Sequence, residues 1–202
     1  LAPLRVALVA AGLVPALIMA IALPAPANLL PLIAILFATL YSAPWFVRAR
    51  AVPLLDSVVS SVHFLIPPIA GLLLGVELDS EWIAPLLALA LWGVASHALG
   101  ALQDVSADKR SGIATVATIL GERRTSQMIL VVYLLAALPL LAQSSVLMQL
   151  AAAIPIASGC SVLPLLRGRP NWGAARAAWR RFLWLNAPLG AVASILLLQS
   201  LQ

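Results

Sequence analysis

The chain alternates long apolar runs with short polar breaks. A membrane helix needs about 20 consecutive, mainly apolar residues. Seven stretches reach that length: 4–23, 27–46, 54–75, 82–104, 125–142, 146–166 and 178–199. The pattern therefore predicts an all-α, polytopic transmembrane bundle with seven spans. The sixth run contains Pro155 and Pro164 and is predicted to kink. Pro15, Pro31, Pro67, Pro68, Pro85, Pro139 and Pro188 also fall within the runs. Membrane helices tolerate such prolines because neighbouring helices satisfy the freed carbonyls, so they read as packing features.

Composition narrows the class further. Of 202 residues, 63% are hydrophobic and only 9% charged, whereas a soluble domain carries about a quarter charged residues. With a mean hydropathy of +1.06, the chain has too little polar surface to be a soluble enzyme, a disordered segment or a nucleic-acid-binding domain. Its net charge of +5 comes from an ordered placement of basic residues. Arg5 precedes the first span, and Arg48 and Arg50 follow the second. Lys109, Arg110, Arg123 and Arg124 follow the fourth. Arg167, Arg169, Arg176, Arg180 and Arg181 follow the sixth, which accounts for all 12 Lys and Arg. The opposite face has two uncharged turns and one acidic loop with Glu77, Asp79 and Glu81. The positive-inside rule puts the basic face in the cytoplasm. One span more or fewer would scatter this charge over both faces. The single cysteine, Cys160, allows no internal disulfide and no Cys-based metal site. The chain opens on Leu1 and enters apolar sequence almost at once, which leads to the expectation that it begins partway into a longer protein.

Chemistry concentrates in one cytoplasmic stretch, 97–125. Asp104 and Asp108 are four residues apart. If the fourth span continues as a helix, both carboxylates share one face, one turn apart. Such a pair can hold Mg²⁺, which takes one or two carboxylates and completes its shell with waters and substrate phosphates. Lys109 and Arg110 follow and can neutralise phosphate oxygens. Gly112 and Gly121 bracket an apolar piece, Ile113–Leu120, too short to span and expected to lie over the site as a small lid. The same features also fit a solvated loop whose acids balance its bases. In the preceding cytoplasmic loop, Arg48 and Arg50 read as topology anchors, Trp45 as an interfacial aromatic and Asp56 as a helix N-cap. Polar residues inside spans are costly and therefore informative. These are Ser60, Ser61 and His63 in the third span, His97 in the fourth and Asn186 in the last, suited either to function or to interhelical hydrogen bonds. Two histidines without ligand spacing exclude a zinc cage.

The run Gln103-Asp104-Val105-Ser106-Ala107-Asp108-Lys109-Arg110-Ser111-Gly112-Ile113-Ala114-Thr115, followed by Ala117-Thr118-Ile119-Leu120-Gly121, resembles the second aspartate-rich motif of the UbiA-type intramembrane prenyltransferases. Tyr41-Ser42-Ala43-Pro44 with its basic followers and Asp56 is similar to the family's other cytoplasmic signature. Ser96-His97-Ala98-Leu99-Gly100-Ala101, Asp56-Ser57 with His63-Phe64, and Arg181-Phe182-Leu183-Trp184-Leu185-Asn186 resemble the lycopene-elongase branch. The resemblance covers essentially the whole chain, 1–202, as one transmembrane prenyltransferase domain with an Asp-rich cytoplasmic loop at 104–124. The family has nine spans and an N-x-x-x-D-x-x-x-D motif after its second. No such motif occurs here, so the seven spans correspond to the family's third to ninth, and the chain is expected to lack two helices and half of the metal site.

The resemblance implies an integral protein of the bacterial plasma membrane with its active-site loops in the cytoplasm. It implies Mg²⁺ as cofactor, a prenyl diphosphate donor, a lipophilic acceptor drawn from the bilayer, and no nucleic-acid partner. Asp104 and Asp108 are assigned to Mg²⁺, and Lys109, Arg48 and Arg50 to the diphosphate. Tyr41, Asp56 and Asn186 are assigned to the substrate pocket, and His97 and His63 to shaping the acceptor pocket or taking a proton. The expected acceptor is lycopene, with a quinone or other aromatic as the alternative. A transporter or non-catalytic membrane subunit is the competing class, against which no second copy of the carboxylate segment exists and the polar residues cluster in the cytoplasmic half. An alcohol phosphotransferase would need more aspartates in one run than Asp104 and Asp108.

Overall fold

The computed structural model describes residues 2–43, 48–75, 80–167 and 172–200. Pro44, Trp45, Phe46, Val47, Glu77, Asp79 and Arg169, singled out above, lie outside them. The described residues form helices α1 (Ala2–Ala22), α2 (Leu29–Ser42), α3 (Leu55–Gly75), α4 (Ile83–Arg110), α5 (Val116–Leu141), α6 (Val146–Ala151), α7 (Ala153–Cys160), α8 (Leu163–Arg167) and α9 (Trp172–Ser200), with no strand among them. Six of the seven expected spans appear as single helices. The sixth is divided into α6, α7 and α8, with Pro155 inside α7 and Pro164 in the first turn of α8. Its breaks are closed by short-range backbone bonds, Ala152 N–H to the Gln149 carbonyl and Val162 N–H to the Gly159 carbonyl, both 3.1 Å.

Among the described residues, Leu55–Gly75, Ser80–Arg110 and Glu122–Leu141 are long and apolar enough to cross a membrane, and Val9–Ala22, Leu29–Ser42 and Val146–Cys160 are shorter apolar helices. Large apolar side chains such as Val14, Ile18, Ile21, Leu36, Val131 and Leu138 stand on the outside of the bundle. In water such a surface would be prohibitive; against lipid it costs nothing.

The core lies between α4 and α5. Ala95, Ala98, Leu99 and Leu102 of α4 are buried against Val116, Ile129 and Tyr133 of α5, with Ala178 and Phe182 of α9 closing the cluster. Small residues let helix backbones approach in the absence of a hydrophobic drive, so dispersion does the work. α3 and α4 approach closely at Gly93, where a Cβ would sit 2.9 Å from Phe64 Cδ2 and 3.1 Å from Ser61 Cβ. Buried hydroxyls bond back to their own helices: Ser96 Oγ donates to the Trp92 carbonyl and Ser126 Oγ to the Glu122 carbonyl, both 2.7 Å.

α4 has 28 residues. At 1.5 Å per residue it is about 42 Å long, longer than the roughly 30 Å hydrocarbon layer. Its apolar part ends near Leu102, so the last two turns, with Asp104 and Asp108, stand beyond the apolar layer.

Candidate active site

The continuous helix through Arg110 puts Asp104 and Asp108 on one face, as the four-residue spacing requires. Both line a cavity of about 680 Å³. Its mouth carries Asp104, Asp108, Arg50 and Tyr41. His63 and His97 follow along the lining, then Trp92 and the buried Phe182, with Asn186 on the lining at an exposed position. Seven of the ten residues assigned a role at the site therefore meet in one space. The remaining three stand apart. Arg48 and Lys109 are exposed and do not line the cavity. Asp56 is completely buried behind it.

The expected N-cap role of Asp56 takes a different form. Its Oδ1 accepts the Ser57 N–H at 2.8 Å and the Ser57 hydroxyl at 3.3 Å. Its Oδ2 accepts the Val116 N–H at 3.4 Å, a free donor at the first turn of α5. Asp56 thus ties the start of α3 to the start of α5. Thr115 caps the same helix from its own chain: its Oγ1 accepts the Thr118 N–H at 3.3 Å, and Thr118 Oγ1 accepts the Thr115 N–H at 2.8 Å, a reciprocal capping box.

The segment expected to be a lid is a wall. Helix begins at Val116, runs one turn, and breaks at Gly121 (φ 77°, ψ 164°) before continuing as Glu122–Leu141. Val116 and Ala117 are fully buried in the core. Ile113 and Thr115 line the cavity. The segment's far end, Ile119 and Leu120, is exposed, but its start is fastened by the packing of Val116 and Ala117 and by the bond from Val116 to Asp56.

Partial burial first, and then the neighbouring Asp104 charge, raise the Asp108 carboxyl above its ordinary range. A hydrogen bond from Thr115 and the Arg50 charge oppose the rise. Two carboxylates crowded this way are a place for a cation. Among the described residues, no group of three or more His, Cys, Asp or Glu can hold a metal by itself. A pair of carboxylates suits a cation such as Mg²⁺, which takes one or two of them and fills its remaining positions with water and phosphate oxygens. Arg50 adds a complementary signal. Its Nε is buried without a hydrogen-bond partner among the described residues, and it faces the same cavity, where an anion can accept from it.

The deeper lining is aromatic. Phe64 meets Trp92 edge to face at 5.5 Å between ring centroids, Trp92 lies 5.8 Å from Phe182, and Trp179 stacks on Phe182 at 5.3 Å. Tyr41 meets His97 edge to face at 6.0 Å. π faces of this kind stabilise a nearby cation and exclude water. Trp92, Trp179 and Thr115 had no role in the sequence reading. The only local signal was at Thr115, a hydroxyl residue just before an apolar run. Trp92 and Trp179 become meaningful only when α3, α4 and α9 are brought together.

Apolar spans and a continuous helical core define an integral membrane protein, with a candidate site in the cavity that runs from acidic and basic residues to aromatic ones. The model of the UbiA prenyltransferase family matches residues 3–186, and the chain belongs to that family. It is similar to a lycopene elongase/hydratase of Corynebacterium glutamicum, 37% identical over 172 residues, covering 82% of this chain and 58% of that protein. It is similar to the C(50) beta-cyclic carotenoids biosynthesis protein LbtBC of Dietzia sp., 38% identical over 150 residues, covering 71% and 34%. A lycopene elongase/hydratase of Haloferax volcanii is 39% identical over 119 residues, covering 57% and 38%. The chain thus spans little more than half the length of the first of these relatives. No solved structure matches.

Proposed function

We propose that the protein transfers a prenyl group from a prenyl diphosphate to a hydrophobic acceptor in the membrane, and that the acceptor is a carotenoid such as lycopene. The observation that carries this reading is the single cavity joining Asp104, Asp108 and Arg50 to an aromatic floor within a UbiA-family bundle. The names of the relatives, lycopene elongase/hydratase and carotenoid biosynthesis protein, support the acceptor class.

Asp104 and Asp108 would hold Mg²⁺, which when bound supplies Lewis-acid neutralisation of the leaving diphosphate. Arg50 donates to diphosphate oxygens from a fixed position, so its charge is in place when the allylic C–O bond breaks. The bond's electron pair leaves with diphosphate, and the five-carbon or longer allylic cation remains. Phe64, Trp92 and Phe182, further along the cavity, keep water away from that cation. The acceptor's terminal double bond attacks the allylic carbon, forming a C–C bond and a new tertiary cation. His97, between the mouth and the floor, takes the proton whose loss restores a double bond. Capture of the same cation by water, with its proton passed to His97 or His63, yields a tertiary alcohol. The hydratase in the relatives' name favours this second outcome, and Ser60 and His63 on the lining offer water a place to bind.

The test uses membranes containing the protein as its gene encodes it, dimethylallyl diphosphate, Mg²⁺, and lycopene or an aromatic acceptor. Asp104→Asn and Asp108→Asn should each lower turnover about a hundredfold or more, the usual loss for one ligand of a developing charge. Arg50→Ala should raise the donor KM. Lys109→Ala and Glu77→Gln should do far less. Equal behaviour of Asp104→Asn and Glu77→Gln rules out the carboxylate site. Turnover with aromatic acceptors alone keeps the transferase and removes the carotenoid.

A further inference from the structure

Beyond the floor of the main cavity lies a second one of about 240 Å³, lined by Pro85, Leu89, Leu140, Ile154, Leu189 and neighbouring apolar residues. The two cavities share only Trp92 and Asn186 of their linings. We infer that Trp92 is the partition that limits how long a prenyl chain the donor can carry, and that the chamber behind it takes the end of a longer chain once the indole is removed. This inference rests on the prenyl-transfer reading above.

The donor's direction follows from polarity. Its diphosphate is held at the mouth by Asp104, Asp108 and Arg50, and its hydrocarbon must run away from that charge along α4. From Asp104 to Trp92 is twelve residues of helix, about 18 Å of axis. A dimethylallyl group ends well short of that, while each added isoprene unit brings the chain closer to the indole. The second chamber continues the same line towards the start of α4 and is apolar throughout apart from Asn186.

Trp92 is held in place between the two cavities, as a partition requires. Its indole N–H donates to Ser158 Oγ of α7 at 3.1 Å. Its carbonyl accepts from Ser96 Oγ, which lies 3.0 Å from the buried Tyr133 hydroxyl. Phe64 and Phe182 pack against its ring. The broken sixth span therefore contributes to selectivity, because only the α7 segment brings Ser158 to the indole. On size, an apolar cavity of about 150 Å³ accepts benzene, so the second chamber holds one to two isoprene units.

The experiment measures kcat/KM for dimethylallyl, geranyl and farnesyl diphosphate with a fixed lycopene acceptor. Trp92→Ala should raise the farnesyl-to-dimethylallyl ratio about tenfold or more, the scale of discrimination that a few methylenes provide, and the geranyl ratio by less. Trp92→Leu, less disruptive to the fold, should shift both in the same direction by less. Gly190→Leu fills the chamber from α9, where a Cβ meets nothing within 4 Å; combined with Trp92→Ala it should restore the original ratio. Active variants whose ratios do not change, or a shift that Gly190→Leu fails to reverse, overturn the partition. Absence of transfer from every donor by the unaltered protein would instead remove the prenyl-transfer reading on which the partition depends.

Discussion

Replacing Asp56 by Ala tests whether this buried carboxylate is a brace or a ligand group. Its bond to the Ser57 N–H is short, at 2.8 Å, and losing an acceptor of this kind costs about 0.5–2 kcal/mol. The contact with Val116 is long, at 3.4 Å, so its share is better taken from the charge at the α5 N-terminus, up to about 2 kcal/mol in buried geometry. Val116 is fully buried, and an N–H left without a partner there adds about 1–3 kcal/mol. These contributions overlap, so the expected loss is about 2–4 kcal/mol for Asp56→Ala and about 1 kcal/mol for Asp56→Asn, which keeps one acceptor and the shape. For a chain of this length, the larger loss lowers the melting temperature by about 4–16 °C. Tryptophan fluorescence during heating in nanodiscs measures it, and donor KM is determined well below the transition. An unchanged melting temperature in Asp56→Ala, with a raised donor KM, would refute the brace and make Asp56 a group that meets the ligand.

Three further outcomes follow from the same structure. A reporter fused after α9 should read as extracytoplasmic, and one placed between α8 and α9 as cytoplasmic; the reverse pattern overturns the orientation. The site needs Asp108 ionised, and its carboxyl is raised by partial burial and by Asp104, so kcat/KM is lost as pH falls through a value above the ordinary carboxylate value of about 4. Asp104→Asn removes the second cause and should move the acid limb of the residual activity downward; a stationary limb contradicts the coupling. Gly93→Ala sets a methyl against Phe64 and Ser61, and overpacking of this kind costs about 1–3 kcal/mol, read as a lower melting temperature; a neutral Gly93→Ala means that α3 and α4 can part without cost.

The helices were legible because lipid imposes one strong rule: about 20 apolar residues per crossing with polar breaks between. That rule located α1 to α5 and α9. It could place a kink near Pro155 and Pro164 but could not show three separate helical pieces, because hydropathy does not register backbone direction. That Asp104 and Asp108 share one helix face was legible from their four-residue spacing; their assignment to a site rested on the family resemblance. Asp56 was read as capping its own helix, whereas it also reaches Val116, sixty residues on, a partnership that no local pattern records. Arg48 and Lys109 show the opposite failure: they sit beside motif residues in sequence, yet their side chains stay outside the cavity. Neighbours along a chain share a loop, not an orientation. The aromatic floor needed three helices to converge and had no signature in any one of them.

At Gly121 the backbone takes φ 77° and ψ 164°, a combination essentially confined to glycine. The residue is absent from the cavity lining, yet it fixes the angle between the turn carrying Thr115 and the rest of α5. A saturation scan of this chain should therefore return Gly121 alongside Asp104 and Asp108 among its least replaceable positions, with a different cause. Variants at the aspartates should accumulate as intact, inert protein, and variants at Gly121 should be cleared by proteolysis. Abundance measured next to activity separates the two. A map of intolerance drawn without that second axis would assign to chemistry a residue whose role is the direction of the chain.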